Sequence, residues 1–132
     1  MQSQISIPFR SAYAASKHAF QAFIDCLRAE MSVYSGINVL AINPGYIRTN
    51  ASLNSVVGDG SVYNRVDESQ ATGMDPEEVA EEVALAIAFR KKEVFVAELY
   101  QKAAVIIRHI LPDLFFKLMA RRAVKQLPQF LK

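Results

Sequence analysis

The sequence of 132 residues is poor in cysteine and has no long apolar run. Its single cysteine, Cys26, excludes an internal disulfide. Because Cys26 falls within a helical pattern, we expect a small buried hydrophobic side chain rather than a reactive thiol. A transmembrane helix requires about 18 uncharged apolar residues, and a signal peptide requires a basic segment before an apolar one. Neither pattern occurs, so we expect no membrane anchor or signal in this chain.

The composition is that of one globular domain, with 52% hydrophobic and 21% charged residues. The net charge of +2 conceals an asymmetry, since residues 51–89 carry one basic and eight acidic side chains, whereas residues 90–132 carry ten basic and three acidic ones. A basic tail can contact phosphate or an anionic membrane surface. The alternative interpretation is the solvated face of terminal helices. We predict no nucleic-acid partner and no metal site.

The strongest chemical signal is a Tyr-x-x-x-Lys spacing at the start of a helical run, formed by Tyr13 and Lys17. Residues four apart lie one turn apart on the same helix face. A cation beside a phenol favours the phenolate, and such a phenol can exchange a proton with a carbonyl or alcohol oxygen. The alternative interpretation makes Tyr13 an aromatic residue at the core edge and Lys17 a solvated lysine.

A helix is predicted over residues 13–34, with Ser11 as its N-cap and Gly36 ending it. Its apolar residues recur at helical spacing and predict a buried face. They are Phe20, Phe23, Ile24, Leu27 and Met31.

The next segment, residues 37–43, is short, almost wholly apolar and partly β-branched. This composition predicts a strand buried on both faces, as in a parallel sheet. Pro44 and Gly45 end it, which gives the helix–strand–turn order of an α/β fold. Ligands of open α/β sheets bind beyond the carboxyl ends of the strands. The turn Pro44-Gly45-Tyr46-Ile47-Arg48-Thr49 is therefore expected to lie at a ligand site.

The remainder of the chain predicts one more strand and several helices. Residues 44–75 are a polar lid or loop, or alternatively a disordered insertion. A helix over 76–91 follows, with Asp75 as N-cap and Pro76 in the first turn. Its four glutamates predict a solvated face rather than paired catalytic carboxylates. A strand over 93–97 completes a right-handed βαβ unit, and two short helices broken at Pro112 cover residues 102–125.

Taken together, Tyr13-x-x-x-Lys17, the helix, the buried strand and Pro44-Gly45-x-Ile47-x-Thr49 resemble the short-chain dehydrogenase/reductase family. The resemblance covers nearly the whole chain and corresponds to the C-terminal half of that family. It implies an α/β fold in which 1–132 is the C-terminal portion of a single Rossmann-like domain. The last two strands and flanking helices of the doubly wound parallel sheet would be present, and the N-terminal strands missing.

The resemblance also implies roles for the residues. Tyr13 would be the general acid/base, and Lys17 would favour its phenolate and bind the nicotinamide ribose. Pro44, Gly45, Ile47 and Thr49 would hold the cofactor, with the Ile47 backbone and the Thr49 hydroxyl on the carboxamide or pyrophosphate. The implied activity is NADP(H)-dependent oxidoreduction, with NAD as the alternative cofactor, of a carbonyl or hydroxyl on an apolar substrate.

Further implications of the resemblance concern partners and location. The helix over 13–34 would form a homo-oligomer interface. Complete relatives would reside in the endoplasmic reticulum membrane, held by a segment that this chain lacks.

Three family features are absent from the sequence. The glycine-rich cofactor turn and the Asn-Asn-Ala-Gly strand do not occur, and the catalytic serine, 13 residues before Tyr13, would precede Met1. We therefore expect a truncated chain. The alternative to an enzyme is a catalytically inactive fragment or isoform that acts as an interaction module.

Overall fold

The computed structural model describes residues 1–130 and is an α/β chain. Its elements are, in order, α1 (Ser11–Met31), β1 (Ala41–Pro44), α2 (Glu68–Ala71), α3 (Pro76–Ala88), β2 (Glu93–Val96), α4 (Leu99–Ile110) and α5 (Pro112–Phe130).

The two strands form a parallel sheet, as the sequence predicted. β1 pairs with β2 in a register that sets Ala41 opposite Glu93 and Pro44 opposite Val96. One further hydrogen bond extends the ladder, from the Gly45 N–H to the Val96 carbonyl at 2.8 Å. Parallel neighbours need a crossover connection, and α3 packs on β2 within that crossover. The predicted α/β class with a parallel sheet is confirmed.

Burial of β1 differs from the prediction. The segment expected as a strand over 37–43 is regular only over Ala41–Pro44. Ala41 and Asn43 are buried, whereas Ile42 between them is 41% exposed. Successive side chains of a strand point to opposite faces, so one face of β1 is covered and the other is open. The expectation of a strand buried on both faces is therefore wrong for the described chain.

The long helix α1 begins at Ser11 instead of being capped by it. Arg10 is the N-cap residue and makes no side-chain capping bond, so the predicted Ser11 cap is wrong. The helix ends at Met31, where the Ser32 N–H donates to the Ala29 carbonyl at 3.2 Å. Gly36, with φ +94°, lies in the turn beyond the helix end, where glycine adopts the left-handed conformation without a Cβ penalty.

None of the five apolar stripe residues of α1 is fully buried, and Ile24, Leu27 and Met31 are half-buried. Phe20 and Phe23 are 60% and 58% exposed, and their rings stack with centroids 6.4 Å apart. Ala14 is the one buried residue of the helix. Cys26 is a free, exposed cysteine, so the prediction of a buried side chain is wrong. The exposure of the two rings and that of Cys26 have the same physical reason, because none of the described elements packs closely over this side of α1.

Arginines hold α1 at its two ends. Near the C-terminal end, Arg28 donates to the Val39 carbonyl at 3.3 Å and to the Lys92 carbonyl at 3.0 Å. These carbonyls belong to the segments that enter β1 and β2. At the N-terminal end, Arg10 forms an ion pair with Asp67. The polar ends of α1 thus fix its position where its apolar stripe does not.

The predicted cap of α3 is confirmed. The Asp75 side chain accepts a hydrogen bond from the Glu77 N–H at 2.9 Å, and Pro76 occupies the first helical position. The helix buries Val79 and Ala86 and ends at Ala88, because Arg90 adopts φ +50°. Its four glutamates, Glu77, Glu78, Glu81 and Glu82, are exposed, and no group of metal-ligating side chains occurs within residues 1–130.

The last two helices meet at Pro112, as predicted, although together they run from Leu99 to Phe130 instead of over 102–125. Pro112 is tolerated as the first residue of α5 because the first turn of a helix needs no donor there. The Arg108 guanidinium of α4 lies 4.9 Å from the Phe116 ring centroid and 5.9 Å from that of Phe115, which is buried. No helix in the described part of the chain has the length and apolarity to cross a membrane.

The N-terminal residues lie against the carboxyl end of β1. The Met1 amine donates to the Pro44 carbonyl at 3.0 Å, and the Ser3 hydroxyl donates to the Asn43 side chain. Burial lowers the pKa of the Met1 amine from 8.0 to about 6, with the Glu93 carboxylate opposing the shift. The folded chain therefore binds this proton more weakly than the unfolded chain does.

We predict that the free energy of unfolding of the 132-residue chain rises between pH 6 and pH 8. Below about 6 the amine is charged in both states, and the folded state bears the desolvation cost. Above 8 it is neutral in both states and the cost disappears. Urea denaturation at several pH values measures the rise. A chain with an acetylated amine is the control, and an equal rise in that chain would contradict the assignment to the Met1 amine.

Candidate active site

Tyr13 and Lys17 lie side by side in the first turns of α1. The Lys17 Nζ atom is 5.2 Å from the centroid of the Tyr13 ring, which is within cation–π range. Both side chains are exposed, and 52% of the Tyr13 surface is accessible to solvent. Within residues 1–130 the pair is therefore open on its solvent side.

The turn after β1 is built by close packing. At Gly45, an added Cβ atom would lie 1.9 Å from the Gln101 Oε1 atom and 2.9 Å from the Ala97 Cβ atom. Gln101 is a buried residue of α4, and its Oε1 atom has no hydrogen-bond partner in the described chain. A glycine is thus required for α4 to approach the end of the strand.

Beyond the glycine, the turn is held by one parallel bridge. Ile47 is bridged to Met74: the Arg48 N–H donates to the Met74 carbonyl at 3.0 Å, and the Met74 N–H donates to the Tyr46 carbonyl at 2.9 Å. In this pattern the neighbours of the bridged residue make the bonds. The Ile47 N–H and carbonyl consequently point away from Met74 and bond to no group within residues 1–130.

The Thr49 hydroxyl is oriented by its neighbours. Its oxygen accepts hydrogen bonds from the Gln70 Nε2 atom at 3.0 Å and the Ala51 N–H at 3.4 Å. The Gln70 Oε1 atom in turn accepts from the Ser52 N–H at 3.0 Å, which fixes the orientation of the amide. A hydroxyl has one proton and two acceptor lone pairs. With both lone pairs used, Thr49 has its proton left to donate outward.

The short helix α2 ties this turn to α1. Asp67 caps α2 by accepting from the Ser69 N–H at 2.9 Å, and it forms the ion pair with Arg10. Arg10 immediately precedes α1, and Gln70 lies on α2. A continuous set of contacts therefore runs from the start of α1 through α2 to Thr49. Through these contacts α2 is folded against the turn at 44–49.

The structure thus brings the sequence-predicted residues together in two groups. Tyr13 and Lys17 form the first, and Pro44, Gly45, Ile47 and Thr49 form the second on the turn. No hydrogen bond among residues 1–130 joins the groups directly.

Sequence reasoning missed the connecting residues Gln70, Asp67 and Arg10. An available signal was the Asp67-Glu68-Ser69-Gln70 pattern, because an Asp before a short polar run is a favoured N-cap. The partners of Gln70 and Asp67 are distant in sequence, and no periodic sequence pattern links them to these two residues.

Comparison with known proteins agrees with this fold and these motifs. Residues 1–57, which include both motifs, match the family model for short chain dehydrogenase. Over these residues the chain is similar to the short-chain dehydrogenase/reductase family, the family that its sequence motifs resemble.

Similar curated proteins carry one family designation. The chain is 57% identical over 126 residues to a Xenopus laevis protein named dehydrogenase/reductase SDR family member 7B, covering 96% of this chain and 39% of that protein. A Danio rerio protein of the same name is 51% identical, with 96% and 40% covered. A Drosophila melanogaster protein named dehydrogenase/reductase SDR family protein 7-like is 47% identical, with 95% and 38% covered. This chain therefore spans about two fifths of the length of these relatives. No solved structure matches it.

We predict that Gly45→Ala destabilises the chain by about 1–3 kcal/mol, because the new methyl group would displace the buried Gln101 amide and lie 2.9 Å from the Ala97 Cβ atom. Thermal or urea unfolding measures the loss. Gly58→Ala is the matched control, since an added Cβ atom at Gly58 meets no atom within 4 Å. Equal stability of the two variants would contradict the packing role of Gly45.

Proposed function

We propose that this chain supplies the acid/base pair and the nicotinamide-binding turn of an NADP(H)-dependent oxidoreductase that acts on a carbonyl or hydroxyl group of an apolar substrate. The observation that carries the proposal is the exposed Tyr13–Lys17 pair, tied through α2 to a turn with outward-facing hydrogen-bonding groups. The proposal concerns the longer protein, because this chain spans about two fifths of its relatives.

Tyr13 is proposed as the general acid/base. Its phenol transfers a proton to a carbonyl oxygen during reduction and accepts one from an alcohol during oxidation. Lys17 is proposed to favour the phenolate and to bind the ribose hydroxyls of the cofactor. The position of Lys17 over the ring face of Tyr13 supports these separate roles. The ammonium lies near the phenol, and within residues 1–130 it is not hydrogen-bonded to it.

The turn fits the nicotinamide end of such a cofactor. When bound, the nicotinamide supplies the hydride chemistry. The Ile47 peptide groups would bind the carboxamide, since they face away from Met74. The Thr49 hydroxyl would donate its remaining proton to a carboxamide or pyrophosphate oxygen. Pro44 and Gly45 place these groups at the carboxyl end of β1, where open α/β sheets bind ligands.

The apolar substrate class is supported by the segment 44–75. Several of its apolar side chains are exposed, at positions Val56, Val62, Tyr63 and Val66. Val56 and Val62 are bridged in an antiparallel pair, which places them near one another. A surface of this kind suits a hydrocarbon body next to a reacting oxygen.

The choice between cofactors rests on the family resemblance. NADP and NAD differ at the adenosine ribose, and no residue of the proposed turn contacts that end. We take NADP as the cofactor and NAD as the alternative. Residence of the longer protein in the endoplasmic reticulum membrane is likewise a proposal from the resemblance.

We predict that Tyr13→Phe lowers turnover by about 10²- to 10⁴-fold, the usual contribution of a positioned acid or base. The experiment uses a chimera in which residues 1–132 replace the matched region of the Xenopus laevis relative. NADPH affinity, measured by fluorescence titration, is expected to change little, because the phenol hydroxyl acts on the substrate. Tyr34→Phe is the control, since Tyr34 is exposed beyond the end of α1. Undiminished turnover in Tyr13→Phe would overturn the assignment.

A second candidate function is an inactive interaction module formed by this chain alone. The observation that favours it is the exposed pair Phe20 and Phe23 on α1, which leaves two stacked aromatic rings in solvent. Aromatic side chains of this kind are enriched in protein interfaces. A second copy of the chain, packed helix against helix, would cover them.

If the module is correct, the 132-residue chain self-associates in analytical ultracentrifugation and shows no measurable NADPH affinity. Phe20→Ser with Phe23→Ser should then yield a monomer. Ile87→Ser with Phe89→Ser is the matched control, because these side chains are also exposed. Measurable NADPH binding by the 132-residue chain, or a monomeric unmodified chain, would count against the module.

A further inference from the structure

An exposed apolar stripe follows α4 into α5. Its members are Ile106 and Ile110 on α4, Leu111 at the junction, and Leu114 and Leu118 on α5; all are between 41% and 69% exposed. Within each helix the paired residues are four apart and lie on one face. Ile110, Leu111 and Leu114 lie on either side of the junction at Pro112, so the two apolar pairs meet there along the chain. Within residues 1–130 it remains open to solvent.

Cations accompany the stripe on α5. Lys117, Arg121 and Lys125 are exposed and spaced four apart, so they form one row on the helix surface. Lys117 and Arg121 follow Leu114 by three and seven residues, which places the row beside the leucines. Long basic side chains can keep their charge in water while their stems lie on apolar surroundings.

The charge of this region is strongly one-sided. Residues 99–128 carry six basic side chains and one acidic one, Asp113. Asp113 lies in the first turn of α5, where a carboxylate favours the positive end of the helix dipole. The exposed row of α5 therefore contains no carboxylate that would neutralise its cations.

We propose that this outer surface of α4 and α5 docks on an anionic phospholipid bilayer, with the two helices lying in the plane of the interface. The leucines and isoleucines would enter the boundary between headgroups and acyl chains, and the cations would bind the headgroup phosphates and carboxylates. A soluble polyanion satisfies the cations and leaves the apolar stripe in water, whereas a bilayer covers both. The inference stands independently of the proposed oxidoreductase activity.

Vesicle co-sedimentation of the 132-residue chain tests the proposal. The chain is expected to sediment with vesicles of phosphatidylcholine and phosphatidylserine, and to bind pure phosphatidylcholine vesicles far less. Replacement of the cation row by Lys117→Glu, Arg121→Glu and Lys125→Glu should lower the partition coefficient by about a hundredfold or more. Ile110→Ser with Leu114→Ser removes apolar contact without changing charge and should also weaken binding.

The matched control carries Arg65→Glu, Arg90→Glu and Lys91→Glu, which changes the net charge equally at exposed positions outside α4 and α5. It should retain most of the binding, and circular dichroism checks that all variants keep their helices. The proposal is overturned if the unmodified chain does not bind the anionic vesicles, or if the control loses as much binding as the cation-row variant. Full binding by the Ile110/Leu114 variant, or equal binding to a soluble polyanion such as heparin, would also overturn it.

Discussion

The parallel pairing of β1 with β2 sets the positions of almost everything else. At its carboxyl end the pairing brings Gly45 beneath Gln101, and so places the motif turn against α4. At its amino end the segments entering the two strands present carbonyls to Arg28, which holds α1. The same short sheet therefore positions both α1 and the turn, which contact it at opposite ends.

The site depends on polar positioning more than on burial. Tyr13, Lys17 and Thr49 are all exposed, and their arrangement is maintained by Arg10–Asp67 and by the amide of Gln70. Such contacts are directional, so they specify which way a hydroxyl proton points as well as where the oxygen lies. An exposed ion pair alone contributes little stability. Its value here is geometric, since it joins the start of α1 to α2.

Sequence reasoning succeeded where local chemistry decides the structure. The Asp75 cap, Pro76 and the break at Pro112 are set by neighbouring residues, and the α/β order follows from composition and turn residues. It failed where distant elements decide. The periodicity of α1 correctly indicated a helix, yet burial of Phe20 and Cys26 requires a partner that residues 1–130 do not supply. The Gln70–Thr49 contact could not be predicted either, because two polar residues 21 positions apart, one on α2 and one on the turn, form no sequence pattern.

The register of the sheet also has a kinetic consequence. Ala41 and Glu93 are about fifty positions apart, so the two strands can meet only after a long loop has closed, and the entropy of closure is lost before any ladder bond forms. The well-capped α3 can form early and shorten that loop. Folding is thus expected to proceed from α3 outward, with the ligand turn among the last parts to take shape. Until then the open side of β1 and the aromatic rings on α1 are exposed at the same time, and such surfaces promote aggregation. The solubility of the chain therefore depends on the order of folding events as well as on the stability of the folded state.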